Sequence, residues 1–321
     1  MQLRRLGSSG LRTSALGLGT MTWGRDTDAL EAADSLRAFV EAGGTLLDTA
    51  ASYGDGAAEE VIGGLLRDVV ARDEVVLCTK AGARRGPDGV RVDAGRGALL
   101  DTLDASLRRL GTDHVDLWLV QAPDSGTTMA ETVSALDVAV RTGRTRYAGL
   151  ANHPGWSTAH AATLAAAAGV PLAAAQVEYS LLERGIEREL VPAAHELGLG
   201  VMAWSPLGRG VLTGKYRRSV PADSRAASPH LRGFVEPYLT DDARSVVEAL
   251  VTAADGLGRA PLEVALAWVR DAPGVGCAVV GARTTAQLRG SLAADDLELP
   301  EQIRAVLDEI TAPELGYPER R

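Results

Sequence analysis

Short apolar runs alternate with amphipathic stretches along almost the whole chain. The strand-like runs centre on residues 16–20, 45–49, 75–79, 115–120, 146–151, 173–178, 199–204 and 277–281. Each is too short for an ordinary helix and is bounded by turn-forming residues. Between them the apolar period lengthens. Leu99, Leu103, Leu107 and Leu110 fall on one helical face, with Gly111 placed to end the helix, and Leu190, Val191, Ala194 and Leu197 repeat the pattern before Gly198. Buried strands separated by helices predict a parallel sheet, and eight of them predict a closed (β/α)8 TIM barrel in the α/β class.

Two stretches break this rhythm. Residues 2–14 carry a Ser8-Ser9-Gly10 turn between short extended segments and predict an N-terminal β-hairpin. After the seventh run, a long segment rich in Gly, Pro and Arg separates Trp204 from a helix that begins near Asp241. Loops longer than about 12–15 residues are commonly lids or binding loops. Tyr216, Phe234 and Tyr238 lie in this one, so it is expected to cover a cofactor or substrate. No repeat, low-complexity linker or composition break divides the chain, and residues 1–321 are expected to form a single barrel domain.

Composition narrows the function classes. The formal charge is −9 and no basic run exceeds an arginine pair, which argues against a nucleic-acid surface. Cys78 and Cys277 both lie in strand-like runs and are expected as buried free thiols in a reducing compartment. Gly7, Ser8, Ser9 and Gly10 follow Arg4 and Arg5 where a signal peptide would need an apolar core. The most apolar segment, 159–175, contains His160, Thr163, Gly169 and Pro171, and reads as a helix then a strand rather than a membrane span. A cytoplasmic protein with a small-molecule partner is expected.

The candidate chemistry lies at the carboxyl ends of the runs, where barrel enzymes place their sites. Asp48 ends the second run, Lys80 the third and Gln121 the fourth, while Tyr53 follows Asp48 by five residues. An aspartate at the mouth of a buried strand needs a cation, and Lys80 on the neighbouring strand can supply it. An ammonium beside a phenol stabilises phenolate, so Tyr53 is expected to have a lowered pKa and to act as a general acid towards a carbonyl oxygen. Taken singly, each residue suits an ordinary buried ion pair or core aromatic; their convergence on adjacent strand ends favours a site. Other motifs fail on spacing. The glycines of 17–24 are too widely separated for a dinucleotide fingerprint, and residues 210–216 are one residue short of a phosphate loop. His114, His153, His160, His195 and His230 show no metal-ligand spacing.

The chain resembles the aldo-keto reductases over nearly its whole length, in the branch that includes the potassium-channel β subunits. The resemblance is carried by Gly17-Leu18-Gly19-Thr20-Met21, Asp48-Thr49-Ala50-x-x-Tyr53-Gly54, Thr79-Lys80, Gly149-Leu150-Ala151-Asn152, Gln176-Val177-Glu178-Tyr179, Trp204-Ser205-Pro206-Leu207, Leu212-Thr213-Gly214-Lys215-Tyr216, and Gly281-Ala282-Arg283 with Gln287-Leu288. It implies an NADPH-dependent reductase with Asp48, Tyr53 and Lys80 in a catalytic tetrad. Asn152 and Gln176 would bond the nicotinamide amide and Trp204 would lie against its ring. Ser205, Leu207, Gly208, Gly210 and Lys215 would serve the pyrophosphate, Arg283 the 2′-phosphate and Gln287 the adenine end. Thr20, Met21, Asp48, Pro206, Gly281 and Ser291 complete the expected cofactor set. Trp23, Tyr53, Pro123, His153 and Trp156 would line the substrate pocket and favour an apolar or ring-shaped carbonyl.

Three positions depart from the family pattern. Gln121 stands where the fourth tetrad member is normally histidine; an amide can orient a carbonyl but cannot become cationic. Ala151 replaces a serine, and Gly290-Ser291 replaces a Glu-Asn pair near the adenine. Reduced or specialised carbonyl reduction is therefore expected. An NADP(H)-binding regulatory protein with little turnover is the alternative, and reduction of an activated C=C bond a third reading.

Overall fold

The two periodicities of the sequence become a closed sheet wrapped in helices. The structure, a computed structural model, describes all residues except Pro87, Asp88, Asp223, Leu315 and residues 318–321, and it leaves out the side chain of Arg85. In chain order, β1 (Leu3–Arg5) and β2 (Arg12–Ser14) form the expected antiparallel hairpin. The barrel begins with β3 (Leu16–Gly19), β4 (Leu46–Asp48) and β5 (Val76–Ala81). A second antiparallel pair, β6 (Ala83–Gly86) and β7 (Gly89–Val92), interrupts it. It resumes with β8 (Val115–Val120), β9 (Thr145–Ala151), β10 (Ala174–Glu178), β11 (Gly200–Trp204) and β12 (Val275–Gly281). All eight barrel strands pair in parallel with their neighbours, and β12 closes on β3. The barrel expected from the apolar runs is the barrel observed.

Alternation along each strand decides what points where. Leu46, Cys78, Leu117, Leu119, Ala151, Ala174, Met202, Cys277 and Val279 share one buried cluster with Leu6 and Leu11 of the hairpin. This is the barrel interior. The hairpin closes its amino-terminal end, where the Ser8 N–H donates to the Gly198 carbonyl just before β11. The intervening residues, among them Leu47, Leu77, Trp118, Val120 and Leu150, face outward into the larger core beneath the helices. Cys78 and Cys277 are buried and free.

The helices follow the same rule. Arg96–Leu110 buries Leu99, Leu103, Leu107 and Leu110, and Gly111 ends it with φ +66°. Leu190–Leu197 buries Leu190 and Ala194 and is ended by Gly198 at φ +73°, whereas Leu197 at its last position is exposed. Residues 159–175 divide between the helix Gly155–Ala167 and the start of β10. No helix among the described residues is long and apolar enough to cross a membrane.

The long segment after β11 is built from short helical turns, Gly208–Thr213, Arg225–Ala227, Arg232–Val235 and Glu236–Tyr238, before the helix Asp241–Leu257. It forms a strap across the carboxyl end of the barrel. Because Leu6 is fully buried in the interior cluster, Leu6→Ala should lower stability by about 2–5 kcal/mol. Urea unfolding would measure this, and a loss below about 1 kcal/mol would show that the hairpin does not plug the barrel.

Candidate active site

The interior alternation that buries Leu46, Cys78 and Leu119 carries Asp48, Lys80 and Gln121, each two residues further on, to the top of the barrel. There they meet. Lys80 Nζ donates to both carboxylate oxygens of Asp48 at 2.8 Å and to the Thr49 carbonyl at 2.9 Å. Gln176 Nε2 adds a 2.7 Å bond to Asp48 Oδ1. Both charges are buried, and this set of bonds makes their burial tolerable. Burial pulls the Lys80 pKa down; Asp48 above all, with Tyr53, outweighs it and holds the ammonium charged well above the ordinary lysine range.

Tyr53 stands over this pair, with its ring centroid 5.2 Å from Lys80 Nζ. The chain after β4 stays tied to β5 by Thr49 N–H to the Cys78 carbonyl and Ala51 N–H to the Lys80 carbonyl. It then turns through Gly54, Asp55 and Gly56, all with positive φ. A Cβ on Gly56 would come within 2.7 Å of Arg109 Nε, so only glycine fits there. Arg109 in turn bonds the fully buried Glu59, which accepts a 2.6 Å bond from Thr79 Oγ1 beside Lys80. The turn that carries the phenol is thus fastened to the strand that carries the ammonium.

The expected lowering of the Tyr53 pKa is corrected by the structure. Burial raises it above the ordinary phenol value, Lys80 pulls it down, and Asp48 opposes Lys80 in part. Desolvation wins, and the phenol keeps its proton throughout the neutral range. The same effects, burial first and Asp48 second, push the Cys78 thiol far up.

A second polar chain runs across the barrel top. Ser52 Oγ donates to Gln121 Oε1 at 2.9 Å, Asn152 Nδ2 donates to the Gln121 carbonyl at 2.8 Å, and Trp204 Nε1 donates to Asn152 Oδ1 at 2.8 Å. The strap joins it through Arg209, which binds Glu178 at 2.6 and 2.8 Å and lies 4.2 Å from the Phe234 ring centroid. Phe234 stacks on Trp204. These elements enclose a cavity of about 840 Å³, towards the upper end for ligand pockets. Asp55, Asn152, Ser205 and Arg209 are the four non-glycine residues with positive φ among the described residues, and all four line it. Backbone strain concentrates where a site needs it.

The cavity brings together Asp48, Tyr53, Lys80 and Gln121 with Met21, Asn152, Gln176, Trp204, Ser205, Pro206, Leu207, Gly210, Lys215, Gly281, Arg283, Gln287 and Ser291. Thr20 and Gly208 are buried just behind its wall, Thr20 donating to the Asp48 carbonyl. Four of the expected substrate residues lie elsewhere. Trp23 is 1% exposed and packs in the helix-facing core. His153 is buried, bonded through Nδ1 to the Ala151 carbonyl, and kept neutral by burial. Trp156 projects from its helix at 69% exposure, and Pro123 sits on the surface. Phe234, from the loop expected to cover the site, does line the cavity, and Leu231 and the β6–β7 pair, through Ala83, Arg84 and Val90, join it. The Gly86-Pro87-Asp88-Gly89 run is turn chemistry that could have revealed that hairpin. Ser52, Arg209 and Arg225 carried no sequence signal of their own.

An ion pair beneath a phenol, at the carboxyl end of a parallel barrel and inside a strapped cavity, defines a barrel protein with an enzyme-like site. Residues 15–312 match the model of the Aldo/keto reductase family. The chain is 34% identical over its full length to a probable voltage-gated potassium channel subunit beta of Oryza sativa subsp. japonica, covering 98% of that protein. It is 35% identical to an uncharacterized oxidoreductase, YrpG, of Bacillus subtilis (strain 168), over 97% of this chain and 96% of that one. It is also 35% identical to L-glyceraldehyde 3-phosphate reductase of Escherichia coli (strain K12), over 92% and 87% respectively. The chain belongs to the Aldo/keto reductase family, a family of carbonyl-reducing oxidoreductases that use a nicotinamide cofactor.

Because Asp48 compensates a buried ammonium, Asp48→Asn should cost about 3–5 kcal/mol of unfolding free energy. The sign with pH follows from the raised Lys80 value: stability from this proton is present below the free lysine pKa of about 10.4 and is lost as pH rises through the folded value. Urea unfolding between pH 7 and pH 9 should therefore give the same deficit for the variant. A deficit below about 1 kcal/mol would show that the pair is dispensable.

Proposed function

We propose that this chain is an NADPH-dependent reductase that turns an aldehyde or ketone into an alcohol. Tyr53 is the general acid, Lys80 and Asp48 set its electrostatics, and Gln121 takes the place of the usual histidine. The observation that carries this reading is the stacking of three groups at one cavity wall: Tyr53 over Lys80 Nζ, and Lys80 locked to Asp48. The same cavity has Lys215 and Arg283 in its lining, a charge distribution that suits a phosphate-bearing ligand.

The residues present fit such a cofactor. Asn152 has each end of its amide in one bond and retains a second lone pair and a second N–H for a carboxamide. Gln176 commits its NH2 to Asp48 and offers its oxygen. Ser205, Leu207, Gly210 and Lys215 would hold the pyrophosphate, with Gln287 and Ser291 at the adenine end. When bound, the reduced nicotinamide supplies hydride.

As the carbonyl carbon accepts hydride, charge develops on its oxygen. Tyr53 then gives up its proton to that oxygen, and the phenolate left behind faces Lys80. The raised pKa of Tyr53 means that the proton is held until the oxygen becomes strongly basic. Lys80 limits the cost of the buried phenolate, and Asp48 keeps the ammonium in place. Ser52 fixes the Gln121 oxygen, which leaves the amide N–H groups to orient the substrate carbonyl.

A regulatory NADP(H)-binding role is the second reading. It is favoured by Gln121, which cannot become cationic, and by the upward shift of Tyr53. NADPH oxidation measured against a panel of aldehydes and ketones separates the two. Turnover should fall about 10²–10⁴-fold in Tyr53→Phe, with NADPH binding retained. Tight NADPH binding by the unmodified chain with no turnover on any carbonyl would favour the regulatory role, and failure to bind any nicotinamide dinucleotide would overturn both.

Gln121→His should change turnover on at least one accepted carbonyl. Unchanged turnover on all of them, measured in the same assay, would show that this position is not limiting.

A further inference from the structure

We propose that Glu59 and Arg109, neither of which lines the cavity, act as one brace that positions the Tyr53 hydroxyl. This deepens the reading of Tyr53 as the proton donor and rests on it, since it names residues outside the cavity that set where the donor stands.

The turn that follows Tyr53 is strained. Gly54, Asp55 and Gly56 take φ of +58°, +54° and +99° in succession. The left-handed region is costly for Asp55, which has a Cβ, and such a turn persists only where its surroundings over-determine it. Ahead of the phenol the chain is held by the Ala51 N–H to the Lys80 carbonyl and the Tyr53 N–H to the Ala50 carbonyl. Beyond it the turn rests against Arg109. A Cβ on Gly56 would meet Arg109 Nε, Cδ and Cζ at 2.7, 2.8 and 3.1 Å, so the guanidinium lies along the bare backbone of Gly56.

Arg109 is itself fixed by the helix that the turn begins. Glu59 and Gly63 both belong to the helix Ala57–Asp68, whose first residue follows Gly56. Arg109 Nε and Nη2 lie 2.8 and 2.6 Å from Glu59 Oε2, and Nη2 donates to Ser106 Oγ at 3.3 Å. The backbone is held as well: a Cβ on Gly63 would come within 2.2 Å of the Arg109 carbonyl oxygen. The other oxygen of Glu59, Oε1, accepts from Thr79 Oγ1 at 2.6 Å. Thr79 points outward from the barrel, because Cys78 and Lys80 on either side of it point inward. One carboxylate thereby ties the Tyr53 turn to the strand whose next residue is Lys80.

The chemistry of the brace speaks for positioning rather than packing. Glu59 is fully buried, and apolar residues of similar volume often stabilise such a place as well as an ion pair does. Directed bonds add what apolar contact does not, a fixed distance and angle. Proton transfer needs that precision, because a misplacement of about 1 Å can cost 100-fold in rate.

Thr79→Val and Thr79→Ser separate the two roles. Valine keeps the shape and loses the bond to Glu59, whereas serine keeps the bond and loses a methyl group. Arg109→Lys is the second variant: it retains a charge for Glu59 but has no planar fork to lie along Gly56. None of the three alters Lys80, Asp48 or Cys78, the titratable groups that act on the phenol. Steady-state kinetics, NADPH calorimetry, thermal melting and ultraviolet titration of the Tyr53 phenolate are to be measured on the full chain. Thr79→Val and Arg109→Lys should lower kcat about 10- to 100-fold, with KM and NADPH binding unchanged. In both, the loosened phenol should ionise closer to the ordinary value of about 10. Thr79→Ser should keep the kcat and the Tyr53 ionisation of the unmodified chain even where its melting temperature falls. If Thr79→Ser loses as much as Thr79→Val, or Tyr53 ionisation is unmoved in Thr79→Val and Arg109→Lys, the pair is only structural and the brace is wrong. The reductase reading would survive that result. If the unmodified chain turns over no carbonyl, the reductase reading falls, and the titration alone decides the brace.

Discussion

The ion pair between Lys80 and Asp48 is the constraint on which the rest of the site depends. Two charges with almost no solvent contact are tolerable only with near-complete compensation. Asp48 accepts from Lys80 and Gln176, while Lys80 also donates to the Thr49 carbonyl. Those partners come from β4 and β5, which pair directly, and from β10, which reaches them only because the sheet closes into a barrel. The electrostatics of the site therefore presuppose the fold. The fold in turn gives the pair its function-like setting, since the same closure puts Tyr53 above the ammonium and a cavity beside it.

Around that pair the molecule places its costly features where a ligand would meet them. Non-glycine residues with left-handed backbone are concentrated in the cavity wall, and such conformations persist only where surrounding structure over-determines them. Arg209 illustrates how. Its backbone is left-handed, but its side chain is held by Glu178, the Phe234 carbonyl and the rings of Phe234, Tyr238 and Trp204. The strap is thereby seated as an ordered wall, and the aromatic residues it carries are used for packing against the barrel top.

Much of this was legible in the residues and their spacing. The barrel strands are buried on both faces, so they appear as continuous apolar runs, and their positions agree with the observed strands to within a residue or two. Asp48, Lys80 and Gln121 were legible because each ends such a run. The β6–β7 pair was hidden because Arg84 and Arg91 break any apolar pattern within it. The substrate wall was misjudged where the chain turns at a strand mouth. Asn152 takes a positive φ directly after β9, and His153 then bonds back to the Ala151 carbonyl and is buried. Strand alternation says nothing about residues beyond such a turn. The Tyr53 shift was misjudged for a different reason: the sequence displays the ammonium, whereas desolvation depends on everything packed around the phenol.

The chemistry of the site therefore turns on a balance in which burial raises the pKa of Tyr53 and the Lys80–Asp48 pair, through its ammonium, restrains the rise. Ultraviolet difference titration of phenolate, comparing the unmodified chain with Tyr53→Phe, isolates that single group. The same titration on the Asp48→Asn/Lys80→Met double variant removes the pair without leaving a lone buried charge. Tyr53 should ionise above the ordinary phenol value of about 10, and at higher pH still in the double variant. Ionisation near neutral pH, or no change when the pair is removed, would contradict it.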